Sequence, residues 1–339
     1  MVTQVQPTAA PACDRTCCQQ ISGAGDGLVL KGENIEGGDI IYNDFPEFFS
    51  QHGGNRRFCT NCANCSAYIG GVTQQLQTIF AFPDNQKHLP GNLADIIKCW
   101  PADMHNGTAV QCNHKCGEYY CSEQCRDQHW AKSHNLLCVG HCETEEHPLV
   151  KFKEHARDNL ELLLLGAIAF AVIVNQSKDA NQVQTFMNEL MSRFCHAHYP
   201  DTAAGAGPLF SQDRKNYAEE VLTEGFELLK TAWAHHAQHE AKCPELYKKM
   251  EPLFANINFF SHLLGMYEIN NHDIELPHPI NRCLQQRIPM LYQQNTPEAH
   301  AEIQVIQNVL VGETFKFLKI IYYLLKYDYF CCAIKILNL

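Results

Sequence analysis

The sequence lacks an apolar run long enough to cross a bilayer. Leu162 to Val174 (LLLLGAIAFAVIV) falls short of the roughly 20 residues that a transmembrane helix needs, and reads as a buried helix. The stretch from Phe315 to Leu339 is longer, but Lys316, Lys319, Lys326, Asp328 and Lys335 interrupt it. No membrane association is expected. The amino terminus, MVTQVQPTAAPACDRTCC, lacks the apolar segment of a signal peptide, which points to a reducing compartment, cytoplasmic or nuclear. Basic charge is also in deficit: 26 Lys and Arg stand against 37 Asp and Glu, a formal net charge of -11. Phosphate affinity comes mainly from Lys and Arg, so direct nucleic-acid binding is excluded. A basic partner, such as a lysine-rich protein tail, suits the charge better. A monomer is expected.

Aliphatic side chains are scarce between Cys59 and Cys138, where chemistry-bearing residues concentrate instead. The run CNHKCGEYYCSEQCRDQHWAKSHNLLC pairs Cys112 with Cys116, Cys121 with Cys125, and His134 with Cys138, each pair separated by three residues. Upstream, CTNCANC offers Cys59, Cys62 and Cys65. Zinc prefers thiolate and imidazole, and two ligands separated by two or three residues hold one ion from a single knuckle or helix turn. Eight such ligands fill two tetrahedral shells. A segment this poor in aliphatics buries too little surface to fold without metal. The spacing is that of metal knuckles rather than of disulfides or scattered core cysteines. Either Cys59 or Cys65 can complete the first pair with Cys62.

The rest of the chain has a globular balance, 45% apolar and 19% charged. Residues 1–20, rich in Pro, Ala, Thr and Gln, read as a flexible tail in which Cys13, Cys17 and Cys18 could ligate a metal but, with no histidine following nearby, are expected to be structural or idle. From Gly23 to Phe48, short β-rich pieces at Leu28 to Leu30 and Ile40 to Tyr42 are separated by glycines, which predicts strand, turn and strand. Pro83, Pro90 and Pro101 oppose long helices between residues 70 and 108. Ser122 is placed to cap a short helix carrying Cys125, His129 and Trp130. Periodic apolar positions predict helices over Leu160 to Val174, Asn181 to Phe194 and Arg214 to His239, and Pro244 starts another that runs to about Met266. His235, His236 and His239 read as a solvated face, because no carboxylate or cysteine completes a site.

The ligand order of Cys-x2-Cys, Cys-x3-Cys, Cys-x3-Cys and His-x3-Cys resembles the MYND finger. Tyr119 and Tyr120 before Cys121, the segment Ser122 to Arg126, and Trp130 before His134 strengthen the likeness. Two departures stand out: Cys112 and Cys116 are one residue further apart than in the family, and the gap after Cys65 is long. The resemblance implies cross-braced pairs, with Cys62, Cys65, Cys121 and Cys125 on one zinc ion and Cys112, Cys116, His134 and Cys138 on the other. It favours Cys65 over Cys59, because Ser-Ala-Tyr-Ile-Gly follows as the family's chain does after that knuckle. His114 and His129 are then bystanders that face solvent or cap a turn.

Gly25-Asp26-Gly27-Leu28, with Gly38-Asp39 a dozen residues later, resembles the opening of SET methyltransferases, where glycines let the backbone lie against a cofactor. A glycine-rich hairpin turn requires the same residues. A finger interrupting the fold just after these strands is the arrangement of the SET and MYND domain family of protein-lysine methyltransferases. The segment Leu263 to Leu276 resembles the stretch in which that family's helix ends at an asparagine pair. The resemblance implies an α+β chain with a split SET-type β-fold, an inserted two-zinc finger and a large helical region. Its divisions are a tail (1–20), first SET strands (21–56), the MYND-type insertion (57–140), a helical region (141–290) and a divergent hydrophobic tail (291–339). It also implies S-adenosylmethionine as cofactor, with Gly25, Gly27 and Asn271 beside it, and lysine methylation of a protein such as a histone. Asn270 and Asn271 can equally serve as a helix C-cap.

The likeness fades after residue 285. The family's Asn-His-Ser-Cys and Gly-Glu-Glu segments do not follow in order, since Asn271-His272 continues as Asp-Ile and Gly312-Glu313 as Thr-Phe. A Cys-x-Cys-x2-Cys knot is missing too. No catalytic residue is assigned, and the expectation is a truncated or alternatively terminated product whose tail replaces the catalytic half. The rival expectation is a non-catalytic adaptor whose finger binds proline-rich peptides.

Overall fold

The computed structural model describes residues 16–22, 25–31, 36, 48–51, 53, 56, 60–69, 109–141, 146–202, 212–240, 243–270, 272–273, 289–311 and 331–334. Among them the protein is mostly helical, with a few small strands. The chain divides into two compact units: Met1–Phe49 with Phe152–His272 and Ala333–Leu339, and Ser50–Lys151 with Asp273–Cys332.

In the first unit, strands β1 (Thr16–Ile21) and β2 (Gly25–Leu30) form an antiparallel hairpin, with Thr16 opposite Leu30 and Ile21 opposite Gly25. The flexible tail expected over residues 1–20 therefore ends earlier, because Thr16 to Gln20 are paired strand. The run Thr-Cys-Cys-Gln-Gln does not alternate apolar with polar residues, and so gave no strand signal there. The partner of β2 is β1; the expected partner, Ile40 to Tyr42, lies outside the described residues. Strands β3 (Phe48–Gln51), β6 (His272–Asp273) and β7 (Cys331–Ile334) form a small sheet in the order β3, β7, β6.

The helical core is built around the helix Leu162–Gln176 (α3), which follows α2 (Pro148–Asn159). It is apolar on every face, so it must be surrounded rather than laid on a surface, and ten of its residues are buried. Gly166 makes the closest packing possible. A Cβ there would stand 2.6 Å from a ring carbon of Phe260 and 2.9 Å from a methyl of Leu264. Phe170 lies one turn further on and meets Phe260 edge to face at 5.1 Å, with Trp233, Phe254 and Phe259 around it. Such rings each bury a large apolar area and add a geometric preference to it.

These partners come from α6 (Gln212–His235), α7 (Pro244–Phe254) and α8 (Ile257–Asn270). The amphipathic helix expected over Asn181 to Phe194 is α4 (Ala180–Arg193), whose first turn is capped by Asp179 accepting from the Gln182 amide at 2.9 Å. The single helix expected from Pro244 to Met266 is two. It breaks at Ala255 and Asn256, where the Asn256 side chain accepts from the Asn258 amide and restarts the helix. A short helix α5 (Tyr199–Thr202) packs on α8. The histidines at the end of α6 pass into a π-helical turn, His236–Glu240. Helix α9 (Pro297–Val311) belongs to the other unit. No helix of the described residues is long and apolar enough to cross a membrane.

Candidate metal centre

The second unit contains the cysteine-rich segment. Strands β4 (Val110–Gln111) and β5 (Tyr119–Tyr120) pair antiparallel. The loop between them carries Cys112 and Cys116. It closes through Lys115 N to Cys112 O (2.9 Å) and Cys112 N to Glu118 O (3.0 Å). Lys115 and Gly117 hold positive φ, 55° and 95°, and these left-handed steps turn both sulfurs inward; glycine adopts such a step without strain.

The loop Thr60 to Ile69 forms a second knuckle. Ser66 N donates to Cys62 O at 2.9 Å, Cys62 N to Ala67 O at 2.8 Å, and the Asn61 side chain to Ser66 O at 2.8 Å. Ala63 N donates to Tyr119 O at 2.9 Å, which ties this knuckle to β5.

After Cys121 the chain enters α1 (Glu123–His129), capped by Ser122 Oγ accepting from Cys125 N at 3.1 Å, as its sequence predicts. The helix widens into a π-helical turn at Trp130–His134 before a last turn, Asn135–Leu137. Such one-turn widenings are frequent at functional sites. Here it ends on His134.

This scaffold brings eight donor atoms into two groups. Cys62, Cys65, Cys121 and Cys125 form one, and Cys112, Cys116, His134 and Cys138 the other; within each group all donor atoms lie within 4.8 Å of one another. In the first group, the sulfurs of Cys65 and Cys121 are 3.7 Å apart and those of Cys121 and Cys125 3.4 Å. In the second, Cys112 and Cys138 sulfurs are 3.8 Å apart, and His134 Nε2 lies 3.4 Å from Cys112 and 3.3 Å from Cys116. Zn–S bonds of about 2.3 Å at tetrahedral angles place two sulfurs about 3.8 Å apart, and a sulfur and an imidazole nitrogen about 3.5 Å apart. Each group could hold a metal ion, and its soft donors and spacing fit zinc. Cys59 lies outside the described residues.

Electrostatics support the same conclusion. Burial pushes the Cys112 thiol up and Cys121 up to about 11, while a hydrogen bond to Cys138 is the main cause holding Cys116 up at about 12. The Cys65 thiol is likewise raised, because its hydrogen bond to Cys62 needs the proton; the same bond lowers Cys62 to about 5. Cys138 is lowered mainly by its hydrogen bond with Cys116. Thiols crowded this way cannot all ionise unless a cation joins them. Packing agrees, since Cys62, Cys112 and Cys138 form one buried cluster with Ile69 and Tyr120.

The two bystander histidines have defined partners. His114 stacks on Trp130, with ring centroids 4.6 Å apart and planes at 9°. His129 stacks on His134 at 4.9 Å and 16° while its Nδ1 lies 3.1 Å from the Tyr120 hydroxyl. Neither belongs to a donor group. The rings of His235 and His239 lie 4.9 Å apart, tilted by 40°, and they too fall outside the two groups.

Of the residues expected beside a cofactor, Gly25 and Gly27 lie in β2, opposite Ile21 and Gln19. A Cβ on Gly27 would collide with the Ile21 side chain, so this glycine has a packing reason within the hairpin. Asn270 ends α8, and its side-chain amide donates to Cys195 O at 2.8 Å and Met266 O at 2.7 Å. Asn271 lies outside the described residues.

The chain is 22% identical over 352 aligned positions to Histone-lysine N-methyltransferase ATXR2 of Arabidopsis thaliana, an alignment covering 84% of this chain and 70% of that protein. No protein-family profile and no solved structure matches the chain.

Proposed function

We propose that this chain is a protein-lysine methyltransferase of the SET and MYND type, with two zinc ions in a cross-braced finger. The observation that carries the reading is the interleaving of the two donor groups: the first and third pairs in sequence come together in one group, the second and fourth in the other. That order, in a chain distantly similar along 84% of its length to a histone-lysine methyltransferase, favours the family over an unrelated zinc knuckle.

On this reading S-adenosylmethionine supplies a methyl group for transfer to a neutral lysine amine. The chain's contribution on this reading is the backbone of β2 from Gly25 to Gly27, on the side that Ile21 does not cover. The finger supplies rigidity, and the acidic surface supplies attraction for a basic protein. Asn216, Glu219, Glu220, Thr223, Glu224 and Glu227 line a shallow depression on α6, and a lysine-rich segment is the complementary partner.

Calorimetry of S-adenosylmethionine against the zinc-loaded full chain tests this. Saturable binding at micromolar affinity is expected. No binding would overturn the enzyme reading and leave the finger as an adaptor for proline-rich peptides.

A further inference from the structure

Three histidines gather in the helical unit, far in sequence from the finger. His196 and His198 flank Ala197 in the segment that joins α4 to α5, and His262 lies in the second turn of α8. The Nδ1 atoms of His196 and His262 are 3.1 Å apart. Their rings meet edge to face at 5.0 Å, and the His198 ring stands 5.9 Å from that of His262.

The segment is held in place on both sides of this cluster. Asn270 donates to Cys195 O at 2.8 Å, and Tyr199 N donates to the buried Ser261 hydroxyl at 3.1 Å. Between them the Ala197 carbonyl sits so close over Gly265 that any Cβ there would collide with it. His196 is exposed and His262 half-buried, so the cluster is both preorganised and open to solvent.

We propose that His196 and His262, with His198 beside them, form a further binding site for a divalent transition-metal ion, distinct from the two thiolate-rich groups. Two imidazole nitrogens on one ion, each about 2.0–2.1 Å from it, are separated by about 2.9 Å at a right angle and about 3.3 Å at a tetrahedral one. The observed 3.1 Å lies between. Without an ion, one ring donates its Nδ1 proton to the other; metal binding displaces that proton to solvent and turns both nitrogens toward the ion. His198 supplies a third imidazole by side-chain rotation, and water fills the remaining positions. An all-imidazole donor set selects zinc, nickel or copper over magnesium and calcium. The site does not rest on the methyltransferase reading.

The test is a Zn2+ titration, by calorimetry, of the full chain with both finger sites already filled. One further binding event is expected, with no corresponding event for Mg2+. His262→Asn and His196→Gln should each weaken it at least tenfold; His196 is exposed, so its variant guards against a mere folding defect, checked by an unchanged melting temperature. Asn270→Ala, which frees the Cys195 carbonyl while sparing all three rings, should weaken it several-fold. His235→Gln with His239→Gln should leave it unchanged. Absence of the event in the wild-type chain, its survival in His262→Asn and His196→Gln, or its loss in the His235 and His239 variant instead would overturn the proposal.

Discussion

The imidazole of His129 lies flat against that of His134, 4.9 Å away and 16° from parallel, and is anchored at Nδ1 by the Tyr120 hydroxyl. Only His134 points a nitrogen at a donor group. Its neighbour steadies the plane in which it points by stacking, without bonding to it as a hydrogen-bonded outer partner would. Tyr120→Phe removes the anchor and leaves the ring in place. It should weaken zinc at the second group by less than the roughly tenfold expected of a partner bonded to the ligand itself and leave the first unchanged, as read by competition with a chromophoric chelator.

Zinc content distinguishes the alternatives for the first knuckle. Cys65→Ser should reduce a chain that holds about two zinc ions to about one, whereas Cys59→Ser should leave about two, since a tetrahedral site needs only two ligands from this loop. Mass spectrometry under native conditions counts the ions. Retention of both in Cys65→Ser would transfer the role to Cys59.

Loading should release protons. The thiols of Cys65, Cys112, Cys116 and Cys121 are all raised above the ordinary range, so they are protonated at pH 7 and must ionise to bind. Zinc affinity should therefore rise with pH and fall on acidification. Titration of the metal-free chain in buffers of different ionisation enthalpy would measure the release, and identical heats in all buffers would contradict it.

Ser122→Ala leaves a helix start without its side-chain acceptor. The expected cost is about 1 kcal/mol, seen as a lower unfolding midpoint with the zinc count intact. Gly166→Val acts elsewhere. It forces a branched side chain into the ring of Phe260 and a methyl of Leu264 and should cost about 1–3 kcal/mol, measured by denaturant unfolding of the holo chain.

Much of the metal centre is legible in the sequence because ligand spacing is local. A helix turn beginning at Ser122 presents Cys125 whatever else the chain does, and knuckles at Cys62 and Cys112 depend on nearby backbone bonds. The roles of His114 and His129 were not legible. Each is set by a partner, Trp130 or His134, whose position depends on the π-helical turn, and no sequence period announces such a turn. In the helical unit the apolar run at Leu162 marks its own burial. The break at Ala255 is fixed instead by side-chain bonding of Asn256, which propensity alone does not place. The strand at Thr16 to Ile21 escaped because its partner, not its composition, decides its state.

The interleaved donor pairs also impose an order on synthesis. The first group lacks its last ligand until Cys125 has been added, and the second stays open until Cys138 follows. A chain growing from its amino terminus thus completes the first set of four donors while the second still lacks His134 and Cys138. An ion held there would fasten the Cys62 knuckle to the start of α1, and so narrow the search of the trailing His134 and Cys138 to a loop already closed at both ends.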